Sequence, residues 1–311
     1  MDLLNYSRIE SAFEISKIKQ QHIIVVGSGG SYSYIKALAR CGIGKLTVLD
    51  FDTVDSSNIV RQGYDISDIG KYKVDALGER IAEINPSTEF QGITKNFLDM
   101  SDSELDVIFE QADLFLFLTD DFKAQSFGNI LSLKYLKPTL WAGWYALSRT
   151  SEIFYQIPEY TKTCFRCCMS QRYLMQNSIV EEAKIQPTSD ANTIFHSQLL
   201  DSQLGLLTLA ILMRSHPVLN SNSSDENLLE SESFFASLFD ENKKAFNYFH
   251  HKAHPKGGNH LFDKAYGHLE GKANLFMSHW QQVEPELKPE YDYDCPDCKG
   301  KLNELVERRK S

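Results

Sequence analysis

The run His22-Ile23-Ile24-Val25-Val26-Gly27-Ser28-Gly29-Gly30 joins an apolar stretch to a glycine turn. Its apolar residues carry no alternation, as expected of a strand buried on both faces. Tyr32 to Arg40 is helix-compatible, and a second apolar strand, Lys45–Leu49, closes on Asp50. Strand, glycine turn, helix and strand together predict the βαβ half of a nucleotide-binding domain. Glycines permit the tight turn and let backbone N–H groups approach a phosphate at the helix N-terminus. Asp50 falls where such folds place, about twenty residues after the turn, a carboxylate that accepts from ribose hydroxyls. Tyr32 occupies the place of the third glycine of the dinucleotide fingerprint, which speaks against an ordinary dehydrogenase. The turn by itself leaves a structural role, NAD binding and ATP binding all open.

Outward from this unit the same alternation continues. Lys73–Ile84 has helical apolar spacing and is ended by Asn85-Pro86. Phe90–Asn96, Asp113–Leu118 and Thr139–Ala142 read as further strands. Alternating β and α segments predict an α/β fold, Rossmann-like, with a mostly parallel sheet and helices on both faces. The second half differs: Ser151–Gln156 reads as an antiparallel strand, and Leu199–Met213 as a strongly apolar helix. The expected organisation is an N-terminal helical arm over 1–20, then a single domain over 21–311. That domain carries a crossover loop at 171–195 and a variable insertion at 216–270, whose segment Ser221–Glu232 is rich in Ser, Asn, Asp and Glu.

Bulk properties narrow the class. Across 311 residues the hydrophobic content is 42% and the net charge is -10, enough apolar material for a core and the wrong sign for a phosphate-backbone binder. No nucleic-acid or membrane partner is expected: no apolar run is long enough to span a bilayer. The start, MDLLNYSRIESAFE, lacks the basic and apolar regions of a secretion signal, so a cytoplasmic location is expected.

The block Leu49-Asp50-Phe51-Asp52-Thr53-Val54-Asp55-Ser56-Ser57-Asn58-Ile59-Val60-Arg61-Gln62 resembles the D-x-D-x-V-x-x-S-N-x-x-R-Q element of the ThiF/MoeB/E1 family of ubiquitin-activating-type adenylating enzymes. Gly70-Lys71-Tyr72-Lys73 and Ile84-Asn85-Pro86 match its G-x-x-K and I-N-P elements, and Thr119-Asp120-Asp121 resembles its T-D-N. Tyr6-Ser7-Arg8 is similar to a Y-x-R element that supplies an arginine to the nucleotide, usually from the partner subunit. The resemblance implies an ATP-dependent carboxylate-activating enzyme. By resemblance, Arg61 and Lys73 contact the triphosphate, Asn58 adds a neutral donor, and Asp120 holds Mg²⁺. Asp50 binds ribose, and Arg8 completes the cation shell in trans in a homodimer. Gly27, Gly29, Gly30, Asp52 and Gln62 complete the expected nucleotide site. The residue types suit the chemistry: when one anion attacks another, cations and a metal must screen the repulsion and stabilise the departing phosphate. The attacking carboxylate is already ionised, so no general base is needed. Asp120 taken alone also fits the N-cap of a helix.

Six cysteines are present, four of them in the pairs Cys164-Phe165-Arg166-Cys167 and Cys295-Pro296-Asp297-Cys298. Two C-x-x-C knuckles supply the four thiolates of a closed tetrahedral zinc site, and the family places such pairs in the same two positions. A structural zinc is therefore expected, stapling the C-terminal segment back onto the domain. Cys168 and Cys41 are expected to be inert buried thiols. The stretch Gln171–Asn192, where thioester-forming members carry their cysteine, contains none. Activation without an enzyme thioester follows. His250, His251, His254 and His260 cluster among aromatic residues; a second metal and an aromatic packing or substrate surface are both conceivable, with Lys256-Gly257-Gly258 favouring a loop.

The expected substrate is the carboxylate of a peptide or small protein. Pro158-Glu159-Tyr160-Thr161-Lys162-Thr163-Cys164 is similar to the run preceding the knuckle in MccB of the microcin C system. The missing cysteine, Tyr32 and the insertion point to that peptide-modifying branch, which includes PaaA of the pantocin A system. The short stretch before the first strand opposes it, because MccB carries an N-terminal peptide clamp. The alternative is adenylation of the C-terminal Gly-Gly of a ubiquitin-like or sulfur-carrier protein.

Overall fold

The computed structural model describes residues 3–145, 148, 150–176, 191–214, 235–239, 245–252, 278–281 and 295–299. They belong to two compact units, Met1–Leu118 with Thr193–Lys243, and Thr119–Asn192 with Lys244–Ser311.

The first unit is the predicted βαβ arrangement. Strands β1 (His22–Val26), β2 (Lys45–Leu49), β3 (Glu89–Ile93) and β4 (Leu114–Phe117) lie in the order β3-β2-β1-β4, all parallel. Ile23 to Val26 and Leu114 to Phe117 are all buried, the expected consequence of covering both faces. The short α1 (Ile15–Ile18) precedes β1, and α2 (Tyr32–Arg40) follows the glycine turn. Next come α3 (Ser56–Ile59), α4 (Lys73–Ile84), α5 (Asp102–Phe109) and, from beyond the second unit, α9 (Ile194–Leu212). Helix α2 buries Tyr34, Ile35, Leu38 and Ala39, one face at three- and four-residue spacing.

Two elements differ most from the sequence reading. The third strand is Glu89–Ile93 rather than Phe90–Asn96, because its register is set by β2: Lys45 lies opposite Glu89 and pairs with it at 2.6 Å. It ends where the Ile93 carbonyl accepts from Asp50 N–H. Helix α9 begins at Ile194, five residues before Leu199. Thr193 caps it reciprocally with His196, whose Nδ1 accepts from Thr193 N–H at 3.2 Å. Histidine in the place of the usual Glu or Gln hid this start signal.

The second unit contains α6 (Phe122–Tyr135), α7 (Phe165–Cys168) and α8 (Ser170–Gln176). Its strands β5 (Thr139–Trp144), β6 (Thr150–Gln156), β7 (Tyr248–Lys252) and β8 (Ser278–Gln281) run antiparallel in that order. Helix α8 occupies the start of the expected crossover loop, and 177–190 lie outside the described residues. His250 and His251 sit on strand β7, both buried, so the helical spacing of His250 and His254 that a second metal would use does not form. His254 and His260, like Ser221–Glu232, lie outside the described residues. Among the described residues no helix is long and apolar enough to cross a membrane.

Candidate functional site

In the first unit the glycine turn leaves the carboxyl end of β1. Gly27 has φ +93°, a backbone region that side chains with a Cβ rarely occupy, and its N–H donates to the Leu49 carbonyl at 2.9 Å. Gly29 is needed for space: a Cβ there would stand 2.9 Å from Gln62 Nε2. The N-cap Ser31 does not cap α2 with its side chain; its hydroxyl donates back to the Gly27 carbonyl at 2.9 Å. Ser31 therefore gives α2 no side-chain cap; in the first turn the Tyr32 N–H donates to the Gly29 carbonyl at 3.4 Å and the Tyr34 N–H is taken by Asp201 of α9.

Asp50 joins the 50–73 block to this turn. Asp50 Oδ2 accepts from Ser28 N–H and from Ser28 Oγ–H, each at 2.8 Å, and its Oδ1 accepts from Asp52 N–H at 3.0 Å. Lys73 is the first residue of α4 and is buried; its Nζ donates to Asp52 Oδ2 at 2.7 Å. Asp55 and Asn58 cap α3 reciprocally, Asp55 N–H donating to Asn58 Oδ1 at 3.0 Å. That bond commits the oxygen of the buried Asn58 amide and leaves its NH₂ as the donor for an anion. Gln62 is buried, and its Oε1 has no hydrogen-bond partner, an orphaned acceptor beside the turn. The Arg61 carbonyl accepts from Ser197 Oγ at 2.8 Å, and the Val60 carbonyl from Ile194 N–H at 3.2 Å, so the first turn of α9 holds the backbone that carries Arg61.

Two contributors escaped the sequence reading. Asp201, on α9, accepts the Tyr34 N–H of the first turn of α2 at 3.1 Å; burial pushes its carboxyl well above the usual range. A lone acid inside an apolar helix was the available signal. Tyr64 is the other: its ring packs 4.2 Å from that of Tyr32, and its hydroxyl lies 3.1 Å from Ser28 Oγ. Tyr32 therefore faces the 63–64 segment. Burial and nearby Asp68 raise its phenol to about 12.

Tyr6 is buried: its hydroxyl accepts from Asn85 Nδ2 at 3.4 Å, and Asn85 Nδ2 also donates to the Ala39 carbonyl at 3.0 Å. The Asn of the I-N-P element thus ties the ends of α4 and α2 to the N-terminal arm. Arg8, two residues on, is exposed.

In the second unit Asp120 is exposed, and the N-cap of α6 is its neighbour Asp121, whose Oδ1 accepts from Lys123 N–H at 2.8 Å. The capping role therefore falls to Asp121 and leaves the Asp120 carboxylate available as a hard oxygen ligand of the kind Mg²⁺ takes. This unit also brings the four paired cysteines together, all buried and with every sulfur within 4.8 Å of the others. Sγ separations are 3.8 Å for Cys164–Cys167, 3.8 Å for Cys164–Cys295 and 3.3 Å for Cys167–Cys298. Four thiolates about 2.3 Å from a tetrahedral zinc stand about 3.8 Å apart, so the cluster fits that ion. Hydrogen bonds from Cys164 and its neighbours lower the Cys295 thiol, whereas burial raises Cys164. Asn129 of α6 joins the two pairs: its Nδ2 lies 3.7 Å from Cys164 Sγ and donates to Asp297 Oδ2 at 2.8 Å, while its Oδ1 accepts from Phe165 N–H at 3.1 Å. Cys168 is fully buried and its thiol is pushed up by burial, as expected of an inert group; Cys41 is half-buried at the C-cap of α2.

A nucleotide-type α/β turn with this acid–base block and a four-cysteine cluster defines a class of protein. The ThiF family model matches residues 4–237, and the chain belongs to that family. The chain is 29% identical over 142 residues to the probable adenylyltransferase/sulfurtransferase MoeZ of Mycobacterium tuberculosis, a match covering 45% of this chain and 36% of that protein. It is 33% identical over 127 residues to the molybdopterin-synthase adenylyltransferase of Escherichia coli, covering 39% of this chain and 50% of that enzyme. These matches thus span half or less of the relatives' length. In fold it is similar to E. coli MccB solved with MccA-N7isoASN, with TM-score 0.60, 16% identity and coverage of 92% of this chain and 69% of that one. It is also similar to PaaA, with TM-score 0.57, 14% identity and coverage of 90% and 84%.

Proposed function

We propose that the chain activates a peptide carboxylate with ATP, without an enzyme thioester, in the maturation of a ribosomally made peptide. The observation that carries this reading is a glycine turn with Gln62 against Gly29 and Asp50 bonded to Ser28, the acid being joined through Asp52 to the buried Lys73. In the proposed reaction the substrate carboxylate oxygen forms a bond to the α-phosphorus of ATP, the bond to the β-phosphate bridging oxygen breaks, and pyrophosphate leaves. Attack on the γ-phosphorus would instead release ADP. Lys73 and Arg61 neutralise the triphosphate, Asn58 donates to it, and Asp50 holds the ribose. Asp120 would hold Mg²⁺, which supplies charge neutralisation on the phosphates when bound. Cys164, Cys167, Cys295 and Cys298 would hold zinc in a closed structural site.

Arg8 is assigned to the partner's nucleotide. Tyr6 seats at the Arg40 end of α2, and at about 1.5 Å per residue that helix separates it from its own glycine turn by more than about 10 Å. Exposed apolar side chains in the first unit, Val60 at 71% and Phe195 at 77%, suit a second copy of the chain. The inert Cys168 supports direct capture of the activated acyl group by another nucleophile. A second reading, adenylation of a ubiquitin-like or sulfur-carrier protein, draws on the likeness to the E. coli adenylyltransferase.

Intact-mass analysis of candidate precursor peptides and of small β-grasp carrier proteins, each with ATP and Mg²⁺, tests both. A mass change on a short peptide with AMP release is the expected result. Reaction only with the carrier selects the second reading. NADH binding without ATP binding overturns both in favour of an oxidoreductase.

A further inference from the structure

We propose that Ser28 and Tyr64 fix Asp50 as an acceptor for a single hydroxyl, so that the site reads one of the two ribose hydroxyls of its nucleotide and is indifferent to the other. This rests on the ATP reading given above. An ionised carboxylate offers about four lone-pair sites. Ser28 N–H and Ser28 Oγ–H, both at 2.8 Å, fill those of Asp50 Oδ2, and Asp52 N–H at 3.0 Å takes one on Oδ1. One site remains, on Oδ1, for a ligand. An aspartate without the serine would keep a second site open and grip both hydroxyls of a ribose.

The serine is itself held, through its carbonyl. Tyr64 Oη lies 3.1 Å from Ser28 Oγ and 3.2 Å from the Ser28 carbonyl, to which it donates. Burial raises the Tyr64 phenol, so it keeps the proton it needs as a donor. Tyr32 packs against Tyr64 with ring centroids 4.2 Å apart and planes tilted by 44°. The residue that breaks the glycine fingerprint thus supports the tyrosine that positions the serine, and the serine orients the acid. Ser28 and Tyr64 are positioning residues: they act through Asp50.

Calorimetric titration of the full chain with ATP, 2′-deoxyATP and 3′-deoxyATP, all with Mg²⁺, tests this. In the native chain one deoxy analogue should bind about tenfold or more weakly than ATP, the loss of a hydrogen bond to a charged acceptor, and the other within about threefold. Ser28→Ala frees a site on Oδ2, so the second analogue should now also lose at least about threefold relative to ATP. Tyr64→Phe keeps the ring packing and should move that ratio in the same direction by less. Affinity for inorganic tripolyphosphate should be unchanged in both variants, which separates a positioning role from collapse of the turn. Equal losses for the two analogues in the native chain, or ratios that stay fixed in both variants, would overturn the inference while leaving ATP binding intact. Failure of the native chain to bind ATP overturns the underlying reading, and the inference with it.

Discussion

Replacing Lys73 by Met should separate the stability of the fold from its grip on a triphosphate. The Lys73 side chain is 8% exposed and its ammonium meets Asp52 at 2.7 Å, but Asp52 is 53% exposed. A pair with one solvated partner contributes about 0–1 kcal/mol, and Met retains the apolar stem. The melting midpoint should therefore fall by less than about 4 °C. Toward ATP the loss is larger. A hydrogen bond from a charged donor is worth about 1.5–3 kcal/mol, which at about 1.36 kcal/mol per decade is about 10- to 150-fold in affinity. The Asp52 carboxylate left behind adds repulsion in the same direction. AMP lacks the β- and γ-phosphates, so its affinity should change by less than about threefold if Lys73 contacts the distal phosphates. Parallel calorimetric titrations with ATP and AMP, beside a thermal melt, provide the measurement. Equal losses for the two nucleotides, or an ATP affinity that does not move, would refute the role given to Lys73.

Two further outcomes concern groups that support the sites. Burial raises the Asp201 carboxyl, so the folded state prefers it protonated. Its stabilising contribution is complete below the ordinary carboxylate range and is lost as pH rises through the raised folded value. Asp201→Asn keeps an acceptor for the Tyr34 N–H and should melt higher than the native chain at neutral pH, with the gap closing on acidification; a gap that is the same at all pH values contradicts this. Asn129→Ala should weaken zinc binding by about 10- to 100-fold, as loss of a partner outside the ligand shell does, read as zinc transfer to a chromogenic chelator. An unchanged zinc affinity would mean that Asn129 serves only to pack α6.

Much of the first unit was legible in the chain itself. The unalternating strands, the glycine turn and the acid after the second strand are local signals, because burial on both faces and a phosphate-ready helix start each demand particular residues at fixed short spacings. The two C-x-x-C pairs were equally plain, since each knuckle is a local turn. Only tertiary structure decided what lies beyond that reach. It brought Cys164 and Cys295 together across 131 positions at 3.8 Å. It assigned the helix cap to Asp121 and left Asp120 available, and it turned Tyr32 onto Tyr64. It also placed Asp201 and Ser197 of α9 against Tyr34 and Arg61, through contacts that span 167 and 136 residues. Local chemistry records what a residue is able to do; which lone pairs of Asp50 are already taken, and which one remains, depends on neighbours that the fold supplies from elsewhere in the chain.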